Sequence, residues 1–236
     1  MHFDAHVHSA ASPDSELNPV DAINVLKSKG LGVAFTEHAD FVTPKEGKDP
    51  SAKDAPKGAV DFVCDFDIYP SQYQGLKAQF GDSVLLGIEI ALSAAYFPLN
   101  SKIANSGYDF VLGSIHFVDG LDVYHNSNKT DAETFCRRYL TYAKEMVEYC
   151  GFFDSLGHID YIARYSEKID RIFYYYNFPK EFDALFEALA ERDLAMEINT
   201  SRFGNTNAVR QLQPMYKRFK ALGGKYVTIG SDAHNE

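Results

Sequence analysis

Six of the eight histidines in this 236-residue chain stand in short apolar runs. "DAHVHS" (4–9) carries His6 and His8, "TEHADF" (36–41) His38, "GSIHF" (113–117) His116, "GHID" (157–160) His158 with Asp160, and "GSDAH" (230–234) Asp232 with His234. Glu89 is the lone charge in the apolar run "VLLGIEIAL". Side chains alternate along a strand, so His6 and His8 point the same way, as do Asp232 and His234. A single histidine at a strand end is an ordinary hydrogen-bonded core residue. Burying this many titratable groups without partners would cost several kcal/mol each. Divalent ions are the simplest compensation, and imidazole with carboxylate suits Zn, Mn or Fe. More ligands are present than one ion takes, which predicts two or three ions.

Ligands so dispersed in sequence need a fold that collects them. Seven runs read as strands: 2–8, 31–38, 84–92, 109–117, 152–160, 194–200 and 225–234. Most are near-continuously apolar, as strands buried on both faces are. Between them lie amphipathic helices. One opens at Pro19, spaces Val20, Ile23 and Leu26 on one face and stops at Gly30. A second opens on Thr130 and Glu133 as a capping box and buries Phe135, Tyr139, Tyr142 and Met146. A third carries Phe182, Leu185, Phe186 and Leu189 at helical spacing. Alternating strand and helix predicts a parallel sheet, and seven units predict a distorted TIM-like (β/α)7 barrel, a single α/β domain over 1–236. In such a barrel the carboxyl ends of the strands share one face, and there the histidines, Glu89, Asp160 and Asp232 would meet. The stretch from Phe41 to Ser71, rich in Lys, Asp, Gly and Pro, reads as a lid or as a plain surface loop. No helical pattern follows the last strand, so the chain reads as truncated after Glu236.

The formal net charge of −10 argues against sequence-independent binding of nucleic acid or anionic membrane. An anionic substrate remains open to it, because bound cations reverse the local sign. Three cysteines without metal-ligand spacing, and no run of membrane-spanning length, suit a reduced cytoplasmic protein.

Taken in order, "DAHVHS", "TEHADF", "GIEI", "GSIHFVDG", "GHIDYIARY", "EINTS" and "GSDAH" resemble the polymerase and histidinol phosphatase (PHP) superfamily, and within it the histidinol-phosphate phosphatases. The resemblance covers essentially the whole chain and implies a distorted seven-stranded barrel with a trinuclear metal site. It assigns His6, His8, Glu89 and Asp232 to one ion. Glu89 would bridge to a second, completed by His116 and His158, and His38, His234 and Asp14 would hold a third. Arg164 matches a phosphate-contacting arginine, and Arg202, just beyond the sixth strand, would reach the same group. A guanidinium fork suits phosphate, although either arginine alone could equally be a surface ion-pair partner. The implied reaction is hydrolysis of a small phosphomonoester, L-histidinol phosphate, in histidine biosynthesis, by in-line attack of a metal-bridging hydroxide on phosphorus. Three divalent ions less Glu89, Asp232 and Asp14 leave three positive charges, which hydroxide and a phosphate dianion would balance. Asp160 and His234 are the candidate proton donors to the leaving alkoxide. Asp40 is expected to hold the tautomer of His38, the alternative being that it binds an ammonium on the substrate. Asp65 and Asp67 could pair with the substrate ammonium, and Phe66 and Tyr69 could pack on its imidazole. Other readings are a phosphotyrosine phosphatase or nuclease of the same superfamily, an amidohydrolase, for which no strand-end lysine is present, and a metal-buffering module.

Overall fold

The structure is a computed structural model describing residues 1–42 and 61–235. In chain order its elements are β1 (His2–Val7), α1 (Pro19–Ser28), β2 (Leu31–Asp40), β3 (Phe62–Val63), α2 (Tyr69–Phe80), β4 (Val84–Ala91), α3 (Phe97–Ala104), β5 (Phe110–Ser114), β6 (Phe117–Val118), β7 (Leu121–Asp122), α4 (Val123–Asn126), α5 (Ala132–Tyr149), β8 (Ser155–Leu156), α6 (Glu167–Ile172), α7 (Pro179–Glu191), β9 (Ala195–Asn199), α8 (Thr206–Ala221) and β10 (Val227–Gly230). Seven strands run parallel in the order β1-β2-β4-β5-β8-β9-β10. The ends of this sheet meet just past β10. Asp232 N donates to His6 O at 2.7 Å and His8 N to Ala233 O at 2.9 Å. The predicted seven-stranded barrel is therefore present and nearly closed, and its closing seam is made by the backbone of "DAHVH" against "SDA".

Several strands are shorter than their apolar runs. The fifth run, 152–160, yields only β8. Its ladder stops because His158 N donates at 2.6 Å to the Glu197 carboxylate instead of to a neighbouring strand. The seventh run stops at Gly230, and Asp232 then turns with φ of 57°. His116, His158 and Asp232 thus sit on loops at the strand ends, where side chains are free to converge.

The helices follow their patterns. Asn18 caps α1 by accepting from Val20 N and Asp21 N, and Pro19 fills the first turn. The cap of α5 differs from expectation. Asp131, not Thr130, accepts from Thr134 N at 2.9 Å, since its carboxylate reaches the third amide of the helix when the helix begins at Ala132. Phe135, Tyr139, Tyr142 and Met146 are buried along α5, as are Phe182, Leu185, Phe186 and Leu189 along α7. Each such side chain contributes about 1.5–3 kcal/mol by leaving water. Of the expected lid, residues 43–60 lie outside the described residues. Its far end is ordinary structure: β3 pairs antiparallel with β2, and α2 begins at Tyr69. Among the described residues no helix is long and apolar enough to cross a membrane.

Candidate active site

The end of β1 places His6 in the strand and His8 just past it side by side, both fully buried. Their Nε2 atoms are 3.0 Å apart. Asp232 Oδ1 lies 3.4 Å from His6 Nε2 and 3.5 Å from His8 Nε2, and Glu89 Oε2 lies 3.5 and 3.4 Å from the same two atoms. Two ligands about 2.0–2.2 Å from one tetrahedral ion stand roughly 3.3–3.6 Å apart. The four imidazole–carboxylate distances have that spacing, which is too long for good hydrogen bonds, while the two imidazole nitrogens approach somewhat closer. Glu89 Oε2 is buried and accepts no hydrogen bond. The other oxygen of Glu89 faces a second group: His158 Nε2 at 3.0 Å and His116 Nε2 at 3.4 Å, with the two imidazole nitrogens 3.4 Å apart. A third group lies at the mouth, where Asp14 Oδ2 is 3.0 Å from His234 Nε2 and 3.5 Å from His38 Nε2. His8 stacks between His38 and His234, with ring centroids at 4.2 and 4.3 Å. The structure thus brings together all nine residues expected from the sequence as ligands, and the donor set fits several cations.

The electrostatics point the same way. Burial works against ionising Glu89, but His6, His116 and His38 hold its carboxyl well below the usual range. Burial likewise disfavours charge on His116, yet Asp40 and Glu89 raise it to about 10. His6 and His38 are also raised, by Glu197 and Glu89 foremost, whereas burial and the neighbouring His38 lower His8 to about 3. Carboxylates this firmly ionised in the interior need cations beside them, whether protonated imidazoles or divalent ions.

Supporting contacts fix the imidazoles, and here the sequence reading needs correction. Asp40 holds His116, not His38: Asp40 Oδ2 meets His116 Nδ1 at 2.6 Å, while His38 Nδ1 is 3.9 Å from Asp40 Oδ1. The reason is β2 geometry. Asp40 lies two residues beyond His38 on the same face and leans toward the loop after β5. Glu197 was not singled out, yet it bonds His6 Nδ1 at 2.7 Å and His158 N at 2.6 Å. Its signal was the one that marked Glu89, a lone charge in an apolar run. Ser12 Oγ lies 3.2 Å from His8 Nδ1 and accepts from His38 N at 3.2 Å. Glu37, fully buried, accepts from Ser9 N and Ser9 Oγ and so anchors the chain just after His8. Hydroxyls and a short loop carry no comparable signal.

A cavity of about 1120 Å³ opens onto these groups. Arg164 lines it, with Nη1 donating to Asp232 Oδ2 at 2.6 Å and with Nε and Nη2 buried and unpartnered. Arg202 does not line it. Its guanidinium is engaged by Asp160 Oδ2 at 2.8 Å and by Asp170. Asp160 is buried behind the wall for the same reason, whereas His234 lines the cavity. Asp65, Asp67, Phe66 and Tyr69 do not reach it. Asp65 Oδ1 accepts from Asp67 N and Ile68 N in the turn before α2, Phe66 stacks on Phe41, and Tyr69 is buried under the sheet, donating to Phe35 O and Gly87 O.

Residues 4–201 match the model of the PHP domain. Over 99% of its length the chain is 35% identical to a probable histidinol-phosphatase of Clostridium acetobutylicum, covering 87% of that protein. It is 30% identical over 98% of its length to a histidinol-phosphatase of Lactococcus lactis, covering 84% of that protein. A crystal structure of histidinol phosphate phosphatase from Lactococcus lactis, complexed with zinc, L-histidinol and phosphate, superposes with a TM-score of 0.87 at 28% identity, over 99% of this chain and 86% of that one. With its barrel, its clustered ligands and a family match across most of its length, the chain belongs to the PHP domain family.

Proposed function

We propose that this chain is a metal-dependent phosphomonoesterase that hydrolyses L-histidinol phosphate to L-histidinol and inorganic phosphate in histidine biosynthesis. The observation that carries this reading is the spacing of the buried donors around Glu89 beside the unpartnered edge of Arg164. It is supported by full-length similarity to histidinol-phosphatases, one of which holds zinc, L-histidinol and phosphate. Divalent ions supply Lewis acidity toward phosphoryl oxygens and a nucleophilic water at neutral pH.

The chain's own groups do the rest. His6, His8, Glu89 and Asp232 form one ligand set, Glu89, His116 and His158 a second, and His38, His234 and Asp14 a third. Glu197 and Asp40 fix the imidazoles of His6 and His116, so the donors need no rearrangement. Arg164 is oriented by Asp232 and offers Nε and Nη2 to two phosphoryl oxygens. Neither candidate proton donor is free for the leaving alkoxide: Asp160 is engaged by Arg202 outside the lining, and His234, which does line the cavity, faces Asp14 through Nε2 and Asp232 O through Nδ1 as a member of the third set. Free, buried Cys64, Cys136 and Cys150 support a reduced, cytoplasmic setting.

Phosphate release tests the reading, with kcat/KM compared across L-histidinol phosphate, glycerol 3-phosphate and a phosphotyrosine peptide. The expected result is a clear preference for histidinol phosphate over glycerol 3-phosphate, whose leaving group is similar. Equal values for those two, or a preference for the phosphopeptide, would overturn the substrate assignment.

A further inference from the structure

The groups described so far account for a phosphate ester and leave the remainder of the substrate unread. Part of the cavity wall is built by the β6–β7 hairpin and α4, which follow His116 directly in the chain. Phe117 pairs with Asp122 across the hairpin, and Val123 N donates to His116 O at 2.9 Å. Asp122 is therefore pinned within one residue of the backbone that carries a candidate metal ligand. It is half-buried and lines the cavity. Its Oδ1 accepts from His125 N at 3.2 Å, and no ion pair to it forms among the described residues. The four other carboxylates of the lining, Asp14, Asp40, Glu89 and Asp232, all face histidines. Among the five carboxylates of that lining, Asp122 alone forms no ion pair among the described residues, and His125 and Lys129, which line the same cavity, do not pair with it.

A chain of aromatic rings runs from the candidate ligands to α4, the helix that Asp122 caps. Tyr161 is 4.8 Å from His116 and 4.9 Å from His158, Tyr165 is 5.2 Å from Tyr161, and Tyr124 is 4.7 Å from Tyr165 at 79°. Tyr124 and Tyr165 both line the cavity, and Tyr124 is more than half exposed.

We propose that Asp122 binds the ammonium group of the substrate while Tyr124 and Tyr165 pack against its heterocyclic ring, so that the hairpin after β5 selects cationic aminoalkyl phosphates. This rests on the histidinol-phosphate reading and deepens it. The charges are arranged along one direction. The phosphate dianion goes to the cations and Arg164, and an ammonium a few bonds away meets the one carboxylate of the lining that forms no ion pair among the described residues. In a partly enclosed cavity such a pair is stronger than in water. The same carboxylate repels a phosphate ester that brings no amine, which gives selection against simple anionic esters.

The test is Asp122→Asn in the metal-loaded enzyme. Asn is as good a helix cap as Asp, so α4 keeps its start while the charge is lost. The readout is the ratio of kcat/KM for L-histidinol phosphate to that for 3-(imidazol-4-yl)propyl phosphate, which differs only in lacking the amine. That ratio should fall about ten- to a hundredfold, the ordinary size of a lost charge-assisted contact. Asp122→Ser, another capping residue, should give the same fall. A ratio within twofold of wild type in both variants would overturn the proposal, whether or not the two absolute values change. If the unmutated enzyme shows no preference for histidinol phosphate over glycerol 3-phosphate, it is the substrate reading that fails instead.

Discussion

At the scale of single residues, Glu89 is the centre of the account, because each of its oxygens faces a different group of imidazoles. Glu89→Gln removes the charge and one acceptor. It should lose at least one metal equivalent by elemental analysis, together with most activity; full metal content with normal turnover would remove Glu89 from the site. The two arginines should behave oppositely. Arg164→Ala should lower kcat/KM about ten- to a hundredfold with metal content unchanged. Arg202→Ala leaves Asp160 buried without its cation, so it should lower unfolding stability by about 3 kcal/mol in a denaturant titration. An Arg202 variant of native stability and poor kcat/KM would restore that residue to phosphate binding. These residues were unequally legible in the sequence. Histidines and a lone Glu in apolar runs announce themselves, and Glu197, the lone charge in "LAMEINT", satisfies the same rule as Glu89. Which carboxylate serves which imidazole depends on distances across the barrel, as with Asp40 and His116, and no local pattern encodes them.

Among the elements, the strands and major helices were visible in periodicity, while their ends were decided by side-chain bonds. Thr130 offers a capping-box pattern, but Asp131 is the residue that reaches an amide. Asp131→Ala should therefore cost about 1 kcal/mol of stability and Thr130→Ala much less, measured by thermal unfolding. β8 was expected to be nine residues long and is two, and at its carboxyl end Glu197 takes the amide that would have extended the ladder. Close approach sets the seam as well. A Cβ on Gly230 would come within 2.2 Å of Glu197 Oε1 and 2.4 Å of His6 Cβ. Gly230→Ala must displace the group that orients His6, so it should weaken metal retention against a chelator while leaving the distant α5–α7 packing intact. Unchanged retention would show that Glu197 does not fix His6.

For the whole molecule, strand–helix alternation was enough to foresee the barrel, and its carboxyl-end face was enough to foresee where the ligands meet. Closure was not readable from spacing. It depends on backbone bonds between "DAHVH" and "SDA", more than two hundred residues apart, and these same bonds align His6 and His8 with Asp232. Because the ligand set is also the seam, loss of the ions should loosen the fold, and chelation should lower the unfolding temperature reversibly. The most direct test of the central claim is phosphate release from L-histidinol phosphate by one preparation assayed as purified, after stripping with a chelator, and after restoring zinc or manganese. The account predicts turnover that disappears on stripping and returns with the divalent ion. Undiminished turnover by the fully stripped protein would contradict it.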